Sequence, residues 1–518
     1  MAGVAGAGLS LAVAAIAARV GAPAAPGTGP VVLYGPPDGL SGVGGGTRPV
    51  VAVPGWAYGP GQAAFQAACA ADGTVITGTT PFSDNQTEPT SDGMELGVFE
   101  PDRERFTRLR IPSTTGRLAL PSPDPRYGGA GGGDVSDVIA VAAPDGGPGM
   151  MFLSSVAYFG WDGRAEGQLP TVGHLRRSGG AWAYERSRSW TADELAAAAP
   201  SSFAGLAFPT DGFGPRQSRG PASAARLPRS GHTVVAQYFG SPVIGMNQGA
   251  LLVIDDAGRP RAFWQYPAVT GAGRALTVNP REVVADPTSA AGDERFAVIC
   301  DVGPAGAAVP FPVQEFSYSV GAGMIRPMSL PVLATADGTR MESACFDQAG
   351  TLFVARTRPD GLRAAPVAVY PKIGSERRLV SATPSPAVWA GKGWGAISPP
   401  DEFVAGSDVT GLVRSMVSDP ATGAVIVAGL GGRALSLRAV GSGAGTRVAL
   451  GRSVDLGLGA LRAHSTGNIG LRRAGLDAGR RLMWLPINQI VQERRRWPYP
   501  PFPLSQWLLR LELDSLIA

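Results

Sequence analysis

One arrangement of apolar and polar positions recurs along the chain. An apolar strand-like run ends in Asp, a short Gly-containing turn follows, and a second apolar run begins. It reads SACFDQAGTLFVART around Asp347, SMVSDPATGAVIVAG around Asp419 and RAGLDAGRRLMWLPI around Asp477. Looser copies are ACAADGTVITGT at Asp72, LLVIDDAGRPRAFWQY at Asp256 and EVVADPTSAAGDERFAVICDV at Asp286. The aspartates of four copies, Asp286, Asp347, Asp419 and Asp477, lie 61, 72 and 58 residues apart. Short apolar runs bounded by such turns read as strands. The Asp side chain bonds the turn backbone, and Gly supplies the positive φ that a tight hairpin needs.

Each copy is followed by one or two further strand-like runs, such as APVAVYP and RRLVSATP after Phe353, or RALSLRAV and TRVALGRSV after Ile426. Four strands per unit is the make-up of a propeller blade. Units fall near 72–112, 135–190, 232–267, 281–332, 342–382, 412–456 and 466–516. The expected fold is therefore all-β, a β-propeller of about seven four-stranded blades with long Gly/Pro-rich insertions, among them 113–134, 201–231 and 383–411. Residues 72–518 would form the propeller, 27–71 an extended Gly/Pro-rich arm and 1–26 an apolar N-terminal segment. The last run, WLLRLELDSL at 507–516, has no partner after it and is expected to pair with the first blade and close the ring. Thr191 and Glu194 form a capping-box pattern ahead of Leu195, so one short helix is expected before Pro200.

The segment FDQAGTLFVAR resembles strands of the NHL and related six- to eight-bladed propellers, in which Asp and Gly stand between the first two strands of a blade. The resemblance covers about six short segments and implies the fold. It carries over no catalytic residues, because such families share the blade and differ in chemistry. The Trp-Asp ending of the WD40 repeat and the double glycine of kelch are missing.

Composition agrees with the pattern. The 73 glycines and 46 prolines form about 23% of the 518 residues, roughly twice the usual share. Charged residues are only 17% and the net charge is +4. Lys372 and Lys392 are the only lysines; an arginine, alanine and glycine excess spread over the whole chain reflects codon bias, and no nucleic-acid partner is expected. Arginines concentrate locally at Arg472, Arg473, Arg480, Arg481 and Arg494, Arg495, Arg496, either as solvated strand-flanking residues or as a patch for an anionic partner. Cys69, Cys300 and Cys345 make no disulfide framework and no CxxC zinc site. Burial is the plain reading, with a Cys300–Cys345 bridge as the alternative. The run from Ala2 to Ala18 resembles the apolar region of a secretory signal, although its first basic side chain is Arg19. An assembly arm is the alternative, and a membrane span is not expected.

Catalytic signatures are missing. There are three histidines, His174, His232 and His464, and no HExxH, Walker A, GxSxG or dinucleotide fingerprint. No organic cofactor is expected. The pairs Asp255/Asp256 and Asp134/Asp137 could hold calcium or serve as paired carboxylates for glycoside chemistry; turn formation explains the same residues. Aromatic residues in Gly/Pro-rich loops are the remaining clue: Trp56 and Tyr58, Trp389 and Trp394, then Trp497, Tyr499 and Phe502. Loop aromatics stack on sugars or anchor proteins, and can equally plug gaps between blades. Together with Arg494, Arg495 and Arg496 they are the candidate binding residues. The leading expectation is a non-catalytic binding or structural propeller that presents loops to a glycan or protein partner, outside the cytoplasm or in a homo-oligomer or multi-chain assembly. A phage virion tail or adsorption component, and an exported polysaccharide hydrolase or lyase, are the rivals.

Overall fold

A computed structural model describes residues 29–35, 50–56, 62–81, 95–110, 113–114, 117–118, 129–131, 135–143, 146–159, 165–190, 192–199, 218–241, 246–266, 278–301, 313–328, 340–357, 367–374, 376–378, 388, 413–429, 432–458, 469–471, 473–490 and 504–517. They build a seven-bladed β-propeller of antiparallel blades. Blade 1 runs Gln62–Cys69, Val75–Pro81, Glu95–Glu100 and Arg105–Arg110, from the axis outward. Blade 2 is Val135–Ala142, Pro148–Phe159, Ala165–Ser178 and Ala181–Ser189. Blade 3 is Ser218–Arg226, Thr233–Ser241, Met246–Ile254 and Pro260–Gln265, and blade 4 is Asn279–Ala285, Asp293–Asp301, Val313–Ser319 and Met324–Pro327. Blade 5 has Arg340–Phe346, Leu352–Thr357 and Val367–Tyr370, followed by the hairpin Lys372–Ile373 with Glu376–Arg377. Blade 6 is Val413–Ser418, Val425–Gly429, Arg433–Val440 and Arg447–Asp455.

Blade 7 joins the two ends of the described chain. Its inner strand is split into Ile469–Leu471 and Gly475–Asp477, followed by Leu482–Ile490 and Leu504–Glu512. Its outer strand, Val31–Gly35, comes from the N-terminal side and pairs antiparallel from Val31↔Leu511 to Tyr34↔Leu508. Val50–Ala52 adds parallel to it. The ring thus closes on a strand within 27–71, the stretch read from composition as an extended arm, and Gln62–Cys69 of that stretch is the inner strand of blade 1. The physical reason is the run VVLYG, whose five residues are all buried. Val31 and Leu33 pack toward blade 6, while Val32 and Tyr34 pack toward blade 1.

That two-sided burial is general. The seven apolar clusters lie one at each blade interface. Strands buried on both faces read as continuous apolar runs rather than alternating ones, as in Leu251–Ile254, where all four residues are fully buried. Blade 2 carries the largest elaboration. Its second and third strands have 12 and 14 residues, and Gly129–Gly131, Arg117–Leu118 and Ser113–Thr114 extend its sheet. Those short strands lie where only a loop was expected. The expected helix is present at Ala192–Ala197. Leu195 enters the core between blades 2 and 3, and Ala198 carbonyl accepts from Phe263 N of blade 3.

Candidate functional site: a polar ring at the axis

The inner strands share one irregularity. In blades 1 to 6 the ladder between first and second strand shifts register immediately before a polar residue: Gln66, Asp137, Ser223, Glu282, Ser343 and Ser415. A bulge turns a side chain away from its regular face. Each of these six is buried. In blade 7 the strand is interrupted at the matching place, and Arg473 stands there.

Four of these residues join their blade to the next. Asp137 Oδ2 accepts from Ala224 N of blade 3 at 2.7 Å, and Ser223 Oγ accepts from Val283 N of blade 4 at 3.2 Å. Glu282 Oε2 accepts from Ala344 N of blade 5 at 3.2 Å, and Ser415 Oγ accepts from Ala474 N of blade 7 at 2.8 Å. In every case the donor is the amide just after the next blade's polar residue. Between blades 7 and 1 a backbone bond does the same work, Ala67 N donating to Arg473 O at 3.0 Å.

Arg473 does more than close the series. Its Nη1 donates to Asp137 Oδ2 at 2.8 Å, Ser223 Oγ at 3.1 Å and Ala224 O at 3.4 Å, and its Nε lies 3.9 Å from Glu282 Oε1. From blade 7 these partners are two, three and four steps round a ring of seven, so the side chain crosses the axis. Burial pushes the carboxyls of Asp137 and Glu282 up, and Arg473 opposes that rise in both. Burial would lower Arg473, yet Asp137 and then Glu282 hold its pKa above the ordinary value. The cluster is a buried ion-pair network whose geometry positions the inner strands.

The recurrent turn aspartates are structural in the same sense. Asp72, Asp286, Asp347, Asp419 and Asp477 each accept a backbone N–H from their own turn through Oδ1; in blade 3 the residue that does so is Asp255 and not the expected Asp256. Several are also gripped by an arginine of the following blade: Asp72 by Arg177, Asp286 by Arg377, and Asp419 by Arg481 at 2.9 Å. Arg377 is fully buried, binds Glu315 and Gly350 O as well, and lies 4.7 Å over the Phe346 ring. The arginine excess therefore serves blade-to-blade contacts in part. Arg480 and Arg481, counted above with a patch for an anionic partner, pair with Asp102 and Asp419.

The pair Asp255/Asp256 does not converge on a shared ligand position: Asp255 caps its turn, whereas Asp256 is exposed and pairs with Arg226. Asp137 belongs to the axial network, and Asp134 lies outside the described residues. Among the described residues, no group of three or more His, Cys, Asp or Glu is placed to hold a metal ion. His174, on the third strand of blade 2, is buried, and burial followed by the nearby Arg186 charge lowers its pKa to about 4. His232 contacts the Tyr318 hydroxyl at 3.0 Å; His464 lies outside the described residues. Cys300 and Cys345 are free thiols rather than a bridge. Cys300 lies 3.4 Å from the Tyr266 hydroxyl.

Of the aromatic candidates, Trp56 is a correction. It is 1% exposed and stacks on Phe106 at 4.4 Å, with Phe99 edge-on at 5.4 Å. An apolar ring between blades 7 and 1 gains more from burial there than from solvent contact. Tyr58, Trp389, Trp394, Trp497, Tyr499, Phe502 and Arg494, Arg495 and Arg496 lie outside the described residues. Among the described residues, no helix is long and apolar enough to cross a membrane.

No protein-family model matches the chain, and no curated protein matches it either. Solved structures resemble it at the level of overall shape. A protein of unknown function from Dyadobacter fermentans is 11% identical over 88% of this chain and 96% of that one, with a TM-score of 0.38. An ulvan lyase, a polysaccharide lyase, is 11% identical over 89% and 99% of the two chains, with a TM-score of 0.41. The WD40 repeats of RRP9 are 9% identical over 88% and 96%, with a TM-score of 0.41. Likenesses this distant do not speak to activity.

Proposed function

We propose that this chain is a non-catalytic binding or structural propeller that presents loops to a glycan or protein partner. The observation that carries the reading is the state of the axial carboxylates. A hydrolase or lyase needs a carboxyl free to exchange a proton with substrate. Asp137 instead accepts from two amides, a hydroxyl and a guanidinium, and Glu282 holds the next blade in place. Groups that fix the strands cannot move protons without loosening the ring. Export, or incorporation in a homo-oligomer or multi-chain assembly, is the setting that suits such a scaffold. The candidate contact residues are Arg494, Arg495, Arg496, Trp497 and Tyr499, with Trp389 and Trp394.

The test is an array of neutral and acidic glycans read with purified protein, repeated on a triple Arg494→Ser, Arg495→Ser, Arg496→Ser variant and on Trp497→Ala. Retained folding with lost binding in these variants is expected. Wild-type binding in both would sink the assignment of this loop as the contact surface.

A further inference from the structure

The two faces of the ring are built differently. First and third strands run toward one face, where tight turns such as 70–74, 255–259 and 347–351 join them to second and fourth strands. Longer connections, such as 82–94, 302–312 and 491–503 within blades and 266–278 and 328–339 between them, begin and end on the other face. Charge separates the faces as well. On the turn face arginines are answered by aspartates: Arg259 by Asp255, Arg480 by Asp102 and Arg481 by Asp419. On the loop face the balance tips. The bulges of blades 4, 5 and 6 skip Arg281, Glu342 and Arg414, each one step to the loop side of the polar ring. Glu342 lies 3.5 Å from Arg281 Nη1 and accepts from Arg414 Nη1 at 2.5 Å. Two guanidinium groups thus share one carboxylate. The Arg281 side chain is 31% accessible and that of Glu342 4%. Below them Arg473 crosses the axis, so the accessible part of Arg281 opens to the loop face.

We infer that the loop face docks an acidic polysaccharide, laid across the mouth of the ring with its carboxylates or sulfates toward Arg281, and that the turn face takes no part. The inference rests on the binding reading above and adds to it the face and the charge of the partner. A partly exposed guanidinium pairs with a carboxylate or sulfate through charge-assisted hydrogen bonds and avoids the desolvation that a buried pair would cost. A neutral glycan gains nothing from that charge. The polymer lies over the mouth and needs no cavity. The connection that carries Arg494, Arg495 and Arg496 begins and ends on this same face, since Ile490 pairs with Leu504.

The experiment is fluorescence anisotropy of labelled polygalacturonate and heparin with the full chain at low and high salt, with neutral dextran and single-stranded DNA as controls. At least one acidic polysaccharide is expected to bind, more weakly as salt rises, and dextran is not. Arg281→Gln should weaken binding about fivefold, the equivalent of one partly exposed ion pair, and Arg281→Lys should recover most of it. Arg259→Gln removes the same charge from the turn face, where the side chain is 66% exposed, and should leave binding unchanged. Glu342 keeps Arg414 in the Arg281 variants; should they still fail to fold, hydrogen exchange on wild type replaces them, with protection by the polymer expected at 278–283 and none at 347–351. No binding of either acidic polysaccharide, equal binding of dextran or DNA, equal loss in Arg259→Gln, or protection on the turn face would each overturn the inference. Binding that passes these tests but comes with cleavage of the polymer upholds the face and sinks only the non-catalytic reading.

Discussion

Replacing Asp137 by alanine strikes the axial network at its most connected point. Asp137 is fully buried and accepts from Val138 N, Ala224 N, Ser223 Oγ and Arg473 Nη1. Removing one member of a buried ion pair costs about 3–5 kcal/mol. Two amides also lose their acceptor, at about 1–3 kcal/mol each where no water replaces it. Arg473 keeps Glu282 and some access to water, which offsets part of the charge cost. The net loss should reach at least about 4 kcal/mol. Arg473→Met alone should cost about 3 kcal/mol, because Asp137 keeps its amides. The double variant should lose about 1–2 kcal/mol less than the two single losses combined. Urea unfolding followed by tryptophan fluorescence measures all three, since Trp484 and Trp507 are fully buried in blade 7. A loss under about 1 kcal/mol for Asp137→Ala, or strict additivity, would refute the network as described.

Other elements make separate predictions. Val32→Asp places a charge at a fully buried position of the closing strand, so the strand should detach and leave Leu504–Glu512 as an open edge. Light scattering should show more self-association than wild type; an unchanged mass and melting point would contradict closure by Val31–Gly35. His174 has its pKa lowered from 6.5 to about 4, so stability is full above pH 6.5. As pH falls toward 4 the unfolded chain takes up the proton and the folded chain does not, a loss of about 3 kcal/mol in total. His174→Gln should flatten the urea midpoint over that range, and an identical pH profile would argue against the burial account. Trp56→Ala should cost about 3–5 kcal/mol without changing glycan-array binding at a temperature where the variant is folded. Lost binding with unchanged stability would return Trp56 to the surface.

Much of the fold is legible in the sequence because its causes are local. The turn aspartates bond amides two to four residues away, and the glycines at positive φ, such as Gly350 and Gly423, follow within the same turn. Six of the seven units are readable for that reason, and the unit at 135–190 is readable from its strand-like runs alone. The closing strand is not, because VVLYG stands between Gly/Pro-rich segments and its partner Leu508–Leu511 lies at the far end of the chain. The axial ring was half visible. Glu282, Ser343, Ser415 and Arg473 each stand four residues before a turn aspartate, a spacing that marks the inner strand. What spacing cannot give is that Arg473 crosses to Asp137 and Ser223, residues more than two hundred positions away. Trp56 shows the converse: its Gly/Pro context left partner binding and the plugging of a gap between blades equally open, and only its neighbours Phe99 and Phe106 of blade 1 decide for the second.

The most direct test of the central claim is turnover on whichever polysaccharides the protein binds, followed by reducing-end release and by the ultraviolet absorbance of unsaturated uronates. The account predicts saturable binding with no product above background, for wild type and for Glu282→Gln alike. Product formation by wild type that disappears in Asp137→Asn or Glu282→Gln, with folding intact, would contradict it and make the axis an active site.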